Sequence, residues 1–154
     1  MTDTRGVLPV LGWRERVALP RLGIPSLKAK LDTGARSSAL HVESLEPFAR
    51  DGATWLRFVL RIGRRHPRMV ECEAAALERR RVTDSGGHVT ERWFIGTDVV
   101  LGSLVLRAEI SLTDRRDMLF PMLLGRTALA GRVIVDPSRS YTLAHAPRAP
   151  ERQR

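Results

Sequence analysis

The stretch LVLRAEISL, residues 104–112, alternates apolar and polar side chains with a period of two. Leu104, Leu106, Ala108, Ile110 and Leu112 fall on one side of an extended chain, with Arg107, Glu109 and Ser111 on the other. TWLRFVLRI (54–62) repeats the pattern through Leu56, Phe58, Leu60 and Ile62. A helix would scatter these apolar groups around its circumference, so the pattern demands half-buried strands. RMVECEAA (68–75) reads as pairing back on 54–62 across the turn-like GRRHPR. RWFIGTDVVLG (92–102) is a further strand region, preceded by TDSGGH (83–88), whose Asp, Ser and two glycines suit a turn between strands. MLFPMLLG (118–125) is apolar on both faces, as a buried strand is. RTALAG (126–131) reads as one or two helical turns closed by Gly131. RVIVDP (132–137) and SYTLA (140–144) read as short strands. The expectation is an all-β domain, a closed six- or seven-stranded barrel with one short helix after Gly125.

The chain has 154 residues, enough for one domain with a sizeable core. An N-terminal segment, 1–8, precedes the domain at 9–143. The tail, 144–154, is rich in proline and charge and is expected to be disordered. No apolar run approaches the roughly 20 residues of a membrane helix. Nor does the N-terminus read as a secretory signal. Cys72 is the single cysteine, so no intrachain disulfide forms and a cytoplasmic home is the default expectation. The formal net charge is +9, with Lys28 and Lys30 the only lysines. This excess suits an anionic partner; the plainer reading is arginine-rich coding that aids solubility. No aromatic residues interleave in sequence with the clusters at Arg64, Arg65, Arg68 and at 79–81, as a nucleic-acid stacking surface would require.

KAKLDTGARSSALH (28–41) runs from an apolar strand straight into Asp32, Thr33 and Gly34. A short loop of small residues lets backbone N–H groups approach a carboxylate. Gly34 would allow a backbone geometry that a side chain blocks, and Thr33 would stiffen the loop by local hydrogen bonding. Asp-Thr-Gly is also an ordinary turn sequence. A second element shifts the balance: MLLGRTAL (122–129) places Leu123, Leu124, Gly125 and Arg126 just before a short helix.

Asp-Thr-Gly-Ala early and apolar-apolar-Gly-Arg late resemble the retropepsins, the single-domain aspartic peptidases. GWRERVALPRLGIPSLKAKLDTGARSSALHVESLE, RRVTDSGGHVTERWFI, LTDRRDMLFPMLLGRTAL and VDPSRSY look like the bacterial retropepsin-like proteins often labelled ATP-dependent zinc proteases. The similarity spans roughly residues 9 to 143. It implies a retropepsin-like fold and an aspartic peptidase in which Asp32 is catalytic. Thr33, Gly34, Ala35, Leu124 and Gly125 would support the catalytic loop. Such proteins are often linked with ATP-grasp ligases that add glutamate to ribosomal protein tails. Retroviral members carry an acid after Asp-Thr-Gly-Ala to pair with the late arginine. This chain has Arg36 there, so Arg126 needs another partner.

The inherited label does not match the residues. A phosphate loop of the G-x-x-x-x-G-K-[ST] kind is missing, as is an H-E-x-x-H cluster, and His41, His66, His88 and His145 are far apart. HVE (41–43) sets His41 and Glu43 on one side of a strand, but a pair is not a metal site. His41 reads as a structural hydrogen-bonder near the Asp32 loop. No cofactor, zinc or ATP is expected.

Aspartic peptidases use two carboxylates that share one proton. This chain has one Asp-Thr-Gly, and Asp98, Asp114, Asp117 and Asp136 lack the glycine loop. A two-fold homodimer would bring Asp32 to Asp32 and complete the dyad. Two hairpin tips compete to cover the substrate, 63–68 and 84–88, with Ser85, Gly86 and Gly87 of the second preferred. Arg36 and Ser37 are further candidates for substrate contact. Two function classes follow: an aspartic endopeptidase acting on a peptide or protein, with acidic ones suiting the charge, or a non-catalytic module binding a ribosomal or ligase partner.

Overall fold

The structure is a computed structural model that describes residues 7–84, 86–114 and 119–143. Expectations made for Ser85, Asp117, Met118, His145 and the tail 144–154 fall outside these residues. The strands are β1 Val10–Gly12, β2 Arg14–Leu19, β3 Ile24–Leu31, β4 Ser38–His41, β5 Ser44–Arg50 and β6 Ala53–Ile62. They continue with β7 Arg68–Ala75, β8 Glu78–Thr83, β9 Val89–Leu101, β10 Leu104–Thr113, β11 Met122–Leu124 and β12 Ile134–Asp136. One helix, α1, spans Arg126–Leu129, directly after Gly125.

The strands β10-β4-β11-β3-β2-β9 lie side by side, and β9 pairs again with β10, closing a ring with β8 attached outside β9. Closure gives the ring's backbone groups partners on both sides, which an open sheet leaves exposed at its edges. The seam between β2 and β9 is narrow, a pairing of Ala18 with Val100 beside a bulge at Val17/Leu19. The period-two residues of β10 point inward: Leu106, Ala108, Ile110 and Leu112 are all buried. A second sheet, β5-β6-β7, lays Leu56, Phe58, Leu60 and Cys72 on the same core, and β6 pairs with β7 as the turn at 63–67 requires. The all-β retropepsin-like architecture is thus the observed one.

Three local expectations are corrected. Residues 140–143 form no strand; the amides of Thr142 and Leu143 donate instead to the carboxylate of Glu15 at 3.1 Å each. That carboxylate, wholly buried, also accepts the Gly12 amide at 2.7 Å and the Thr142 hydroxyl at 2.6 Å. A buried carboxylate has to be surrounded by donors, and here they come from chain that would otherwise have joined a ladder. The stretch before Gly125 is a strand only over β11, and Leu119 is 87% exposed, so its apolar character does not mark burial. Third, the 79–81 cluster has no aromatic neighbour in sequence but meets two in space: the Arg79 guanidinium lies 5.2 Å from the Trp93 ring centroid and the Arg80 guanidinium 4.2 Å from that of Phe94.

Candidate active site

β11 is three residues long, yet it decides the geometry around Asp32. It runs parallel to β3 (Leu124 opposite Leu31) and antiparallel to β4 (Met122 opposite Leu40), filling the gap that the Asp32 loop leaves between those strands. Met122 and Leu124 are fully buried, so the segment is held by its apolar side chains and cannot slip by one residue without exposing them.

The loop is gripped from both sides. The Asp32 amide donates to the Leu124 carbonyl at 2.8 Å, and the preceding Leu31 amide to the Trp13 carbonyl at 2.7 Å. The Ala35 amide closes the turn on the Asp32 carbonyl at 3.1 Å. The Gly34 amide donates to Asp32 Oδ1 at 2.9 Å. The second oxygen, Oδ2, lies 4.0 Å from Lys30 Nζ, and the Asp32 side chain is 27% exposed. One carboxylate oxygen is therefore fixed by backbone while the other faces an open surface.

Past β11 the chain turns into α1, whose first amides have no partner within the helix. The Asp32 loop supplies them: the Arg126 amide donates to the Ala35 carbonyl at 2.8 Å and the Thr127 amide to the Arg36 carbonyl at 3.0 Å. Arg126 Nη1 donates to the Thr33 carbonyl at 3.2 Å, which answers what replaces the missing acidic partner. The Gly125 amide donates to buried Ser38 Oγ at 3.1 Å. A Cβ on Gly125 would stand 2.5 Å from the Ser37 carbonyl oxygen and 2.9 Å from that of Ala35, so only glycine lets the two segments pass.

Thr33, Gly34, Ala35, Leu124 and Gly125 are thus assembled around Asp32. At Gly34 the limit is space and not a left-handed φ: a side chain there would crowd Asp32 Oδ1, with Cβ at 3.2 Å. The Arg36 carbonyl joins the grip, the Ser37 carbonyl oxygen stands where a Cβ on Gly125 would fall, and Arg36 is exposed. Sequence reasoning missed Lys30 and Ser38. The signal for Lys30 was present, because a strand residue two before Asp32 shares its face.

That face carries more charge. In-register pairing sets Arg14 opposite Lys30 and Arg16 opposite Lys28, and the inward neighbours Glu15, Val17, Leu27, Ala29 and Leu31 are buried. Arg14, Arg16, Lys28 and Lys30 therefore share the outer face that leads to Asp32. At its far end lies a cleft of about 590 Å³ bordered by Arg16, Lys28, His41 and Glu43, with Arg61, Arg64 and Arg65 from the β6–β7 hairpin. His41 Nε2 and Glu43 Oε2 are 2.8 Å apart, and the His41 amide donates to the Pro121 carbonyl at 2.9 Å. His41 is a hydrogen-bonder, at the end of β4 away from the Asp32 loop. Among the described residues no group of three or more His, Cys, Asp or Glu side chains converges.

The two hairpin tips stand on different sheets. The 63–67 tip belongs to β6–β7 and walls the basic cleft. The 84–88 tip joins β8 to β9, where Asp84 Oδ1 accepts the amides of Gly86 and His88 at 2.9 Å each. Those bonds, the His88 amide first, hold the Asp84 carboxyl below its ordinary range. Gly87 has φ +87°, which glycine alone adopts freely. Asp98 pairs with Arg21 and Arg107, and Asp136 is capped by Ser138, so both are engaged away from Asp32. Cys72 is buried, its thiol pushed up to about 11 mainly by burial.

Comparison with known proteins agrees with this geometry. The family model for RimB-like proteins, described as "Retropepsin-like aspartic endopeptidase RimB", matches residues 10–146. Two curated relatives are both named probable alpha-L-glutamate ligase. The one from Shewanella halifaxensis is 37% identical over 135 residues, 87% of this chain and 30% of that protein. The one from Parasynechococcus marenigrum is 39% identical over 140 residues, 87% of this chain and 29% of that protein. The chain thus spans about 30% of the length of these relatives. Among solved structures, Lpg0085 of Legionella pneumophila, a protein of unknown function, superposes with a TM-score of 0.74 at 27% identity, covering 88% of this chain and 98% of that one.

Proposed function

The chain belongs to the RimB-like family of retropepsin-like aspartic endopeptidases, and from that premise we propose that it hydrolyses peptide bonds with water activated between two Asp32 carboxylates, one from each subunit of a homodimer. The observation that carries this reading is the Asp32 loop itself: one oxygen held by the Gly34 amide, the backbone held by β11 and α1, and the carboxylate still partly open.

In the dyad one carboxylate is ionised and the other protonated, because like charges so close do not both persist. The ionised group takes a proton from water as its oxygen attacks the scissile carbonyl carbon, and the protonated group gives its proton to the carbonyl oxygen. Collapse of the tetrahedral species breaks the C–N bond, with proton transfer to the departing amine. The Gly34 amide keeps Oδ1 in place through both steps. The basic outer face beside Lys30 suits a protein substrate with an acidic tail, the kind of chain a glutamate ligase would build; the names of the relatives support that link.

A second reading rests on the same relatives. A domain that matches part of proteins named as ligases fits a non-catalytic module that docks such a ligase or a ribosomal partner. Asp32→Asn decides between them. The substitution keeps the side chain's size and its acceptor for Gly34 and removes the proton-sharing pair. Peptidase action predicts a wild-type rate that follows a bell in pH, its two limbs belonging to the pair, and a loss of at least about 10³-fold in the variant. Equal cleavage by a folded Asp32→Asn protein would dismiss the mechanism, and an absence of cleavage by both would favour the docking module.

A further inference from the structure

The dyad chemistry leaves one charged group beside Asp32 without a role. Lys30 Nζ lies 4.0 Å from Asp32 Oδ2, too far for a direct hydrogen bond. Both side chains are partly open to solvent, and an exposed ion pair of this kind adds little to stability. Oδ1 is committed to the Gly34 amide, whereas among the described residues Oδ2 accepts no hydrogen bond. An oxygen atom at an ordinary hydrogen-bond distance of about 2.8 Å from both Nζ and Oδ2 fits between them. The space shared by Lys30 and Oδ2 is therefore one that a reacting oxygen can enter.

The surroundings of Lys30 aim its ammonium at that space. Arg14 stands opposite Lys30 in the β2–β3 ladder, on the same outer face, and like charges directly opposite repel. The Arg14 guanidinium is held between two rings, 4.6 Å from the Trp13 centroid and 5.0 Å from that of Tyr141. Its Nε is buried with no hydrogen-bond partner among the described residues, so rings and not an acid keep it in place. Tyr141 is fixed in turn. Its φ is +52°, uncommon for a residue other than glycine, and its amide donates to the Arg14 carbonyl at 2.9 Å. The next two residues are bound to the buried carboxylate of Glu15. With Arg14 unable to move aside, Lys30 is driven toward the anion two residues further along its own face. The elements that grip the loop (β2, β3, β4, β11 and α1) bring one other carboxylate, Glu15, and its donors enclose it in the core. The cations near the loop are engaged or turned outward: Arg126 donates to the Thr33 carbonyl, and Arg36 is exposed.

We propose that Lys30 is a further catalytic residue, whose ammonium donates to the scissile carbonyl oxygen while that oxygen takes the proton of a protonated Asp32 Oδ2. Lys30 keeps its own protons throughout, so the proton count of the hydrolysis is unchanged. It supplies positive charge where negative charge builds on oxygen. Arg14 and Tyr141 are positioning residues that act through it. The inference rests on the peptidase reading and adds a group to its transition state.

The test uses a library of fluorogenic peptides without acidic residues, so that removing Lys30 does not act through weaker attraction of an anionic substrate. Kinetics are measured on a member that wild-type protein cleaves and Asp32→Asn protein does not. Lys30→Met should lower kcat at least about 10²-fold, the scale of losing one donor to a developing oxyanion, with KM changed less than about threefold. Lys30→Arg should recover at least about tenfold of that loss, because it restores the charge. Arg14→Gln, which removes the repulsion that steers Lys30, should lower kcat by a smaller factor than Lys30→Met. Arg21→Gln, which removes one positive charge at the other end of β3, should leave both constants as in wild type. Thermal unfolding of Lys30→Met should match wild type, since its side chain is 44% exposed. An unaltered kcat in Lys30→Met, a loss confined to KM, no gain from Lys30→Arg over Lys30→Met, or an equal loss in Arg21→Gln would overturn the role of Lys30 and leave the peptidase reading in place. Wild-type protein that cleaves no peptide of the library would remove both.

Discussion

Gly125 sits where two backbone segments cross, and no rearrangement of side chains can make room there. The atoms a Cβ would strike are the carbonyl oxygens of Ser37 and Ala35, and both are main chain. The Ala35 carbonyl is already committed to the Arg126 amide. Gly125→Ala should therefore push α1 away from the Asp32 loop. The expected cost is about 3 kcal/mol, the upper end for overpacking, seen as a fall in Tm of roughly 6–12 °C. The proposed peptidase activity should also fall, because the displaced helix carries the Arg126 contact with the Thr33 carbonyl. Thermal unfolding and cleavage measured on the same preparation check both. Glu15 makes the complementary point at this scale: a charged residue flanked by arginines in sequence is wholly buried, because four donors surround its carboxylate.

Among the elements, the β8–β9 hairpin is the one whose tip is organised by a titratable group. Asp84 binds the Gly86 and His88 amides only as a carboxylate acceptor of full strength, and its folded pKa lies below the ordinary value. A depressed carboxylate binds fewer protons folded than unfolded, so its contribution is present above the unfolded value near 4 and lost as pH falls through the folded one. The tip should be ordered at pH 6 and loosen below about pH 4. Amide exchange at Gly86 and His88 across that range, compared with Asp84→Ala, would show it; equal exchange in both proteins at pH 6 would mean the carboxylate does not order the tip. As a cover over substrate the 84–88 hairpin remains our proposal, with glycines at 86 and 87 suited to approach a peptide backbone.

At the scale of the molecule the proposed chemistry needs two copies of the chain. The closed ring holds a single Asp-Thr-Gly loop, and the carboxylates at Asp98 and Asp136 are engaged elsewhere. Specific activity should then fall on dilution through the dimer dissociation constant, and active protein mixed with excess Asp32→Asn subunits should lose activity through heterodimers. Activity proportional to concentration at every dilution, with no effect of mixing, would argue for a monomer that uses another proton donor. No helix among the described residues is long and apolar enough to cross a membrane.

Much of this protein was legible in one dimension. Period-two alternation marked β6 and β10, because a half-buried strand writes its burial directly into sequence, and the turn-like 63–68 marked β7 as the strand that pairs back on β6. Asp32-Thr33-Gly34 and Leu124-Gly125-Arg126 marked the two sides of the site, since close backbone approach admits few residue types. β5 carried no such signal: Pro47 interrupts it and only its Leu45, Phe48 and Arg50 are even partly buried, so its sheet partner, not its own pattern, makes it a strand. The basic cleft was also unreadable, because Arg16, Lys28 and Arg61 are brought together from separate strands and look unrelated along the chain. Local sequence determines what depends on a residue and its near neighbours. Tertiary structure decided the insertion of β11 between β3 and β4, the burial of Glu15 and the gathering of basic side chains at the cleft, since each depends on groups that only the folded chain brings together.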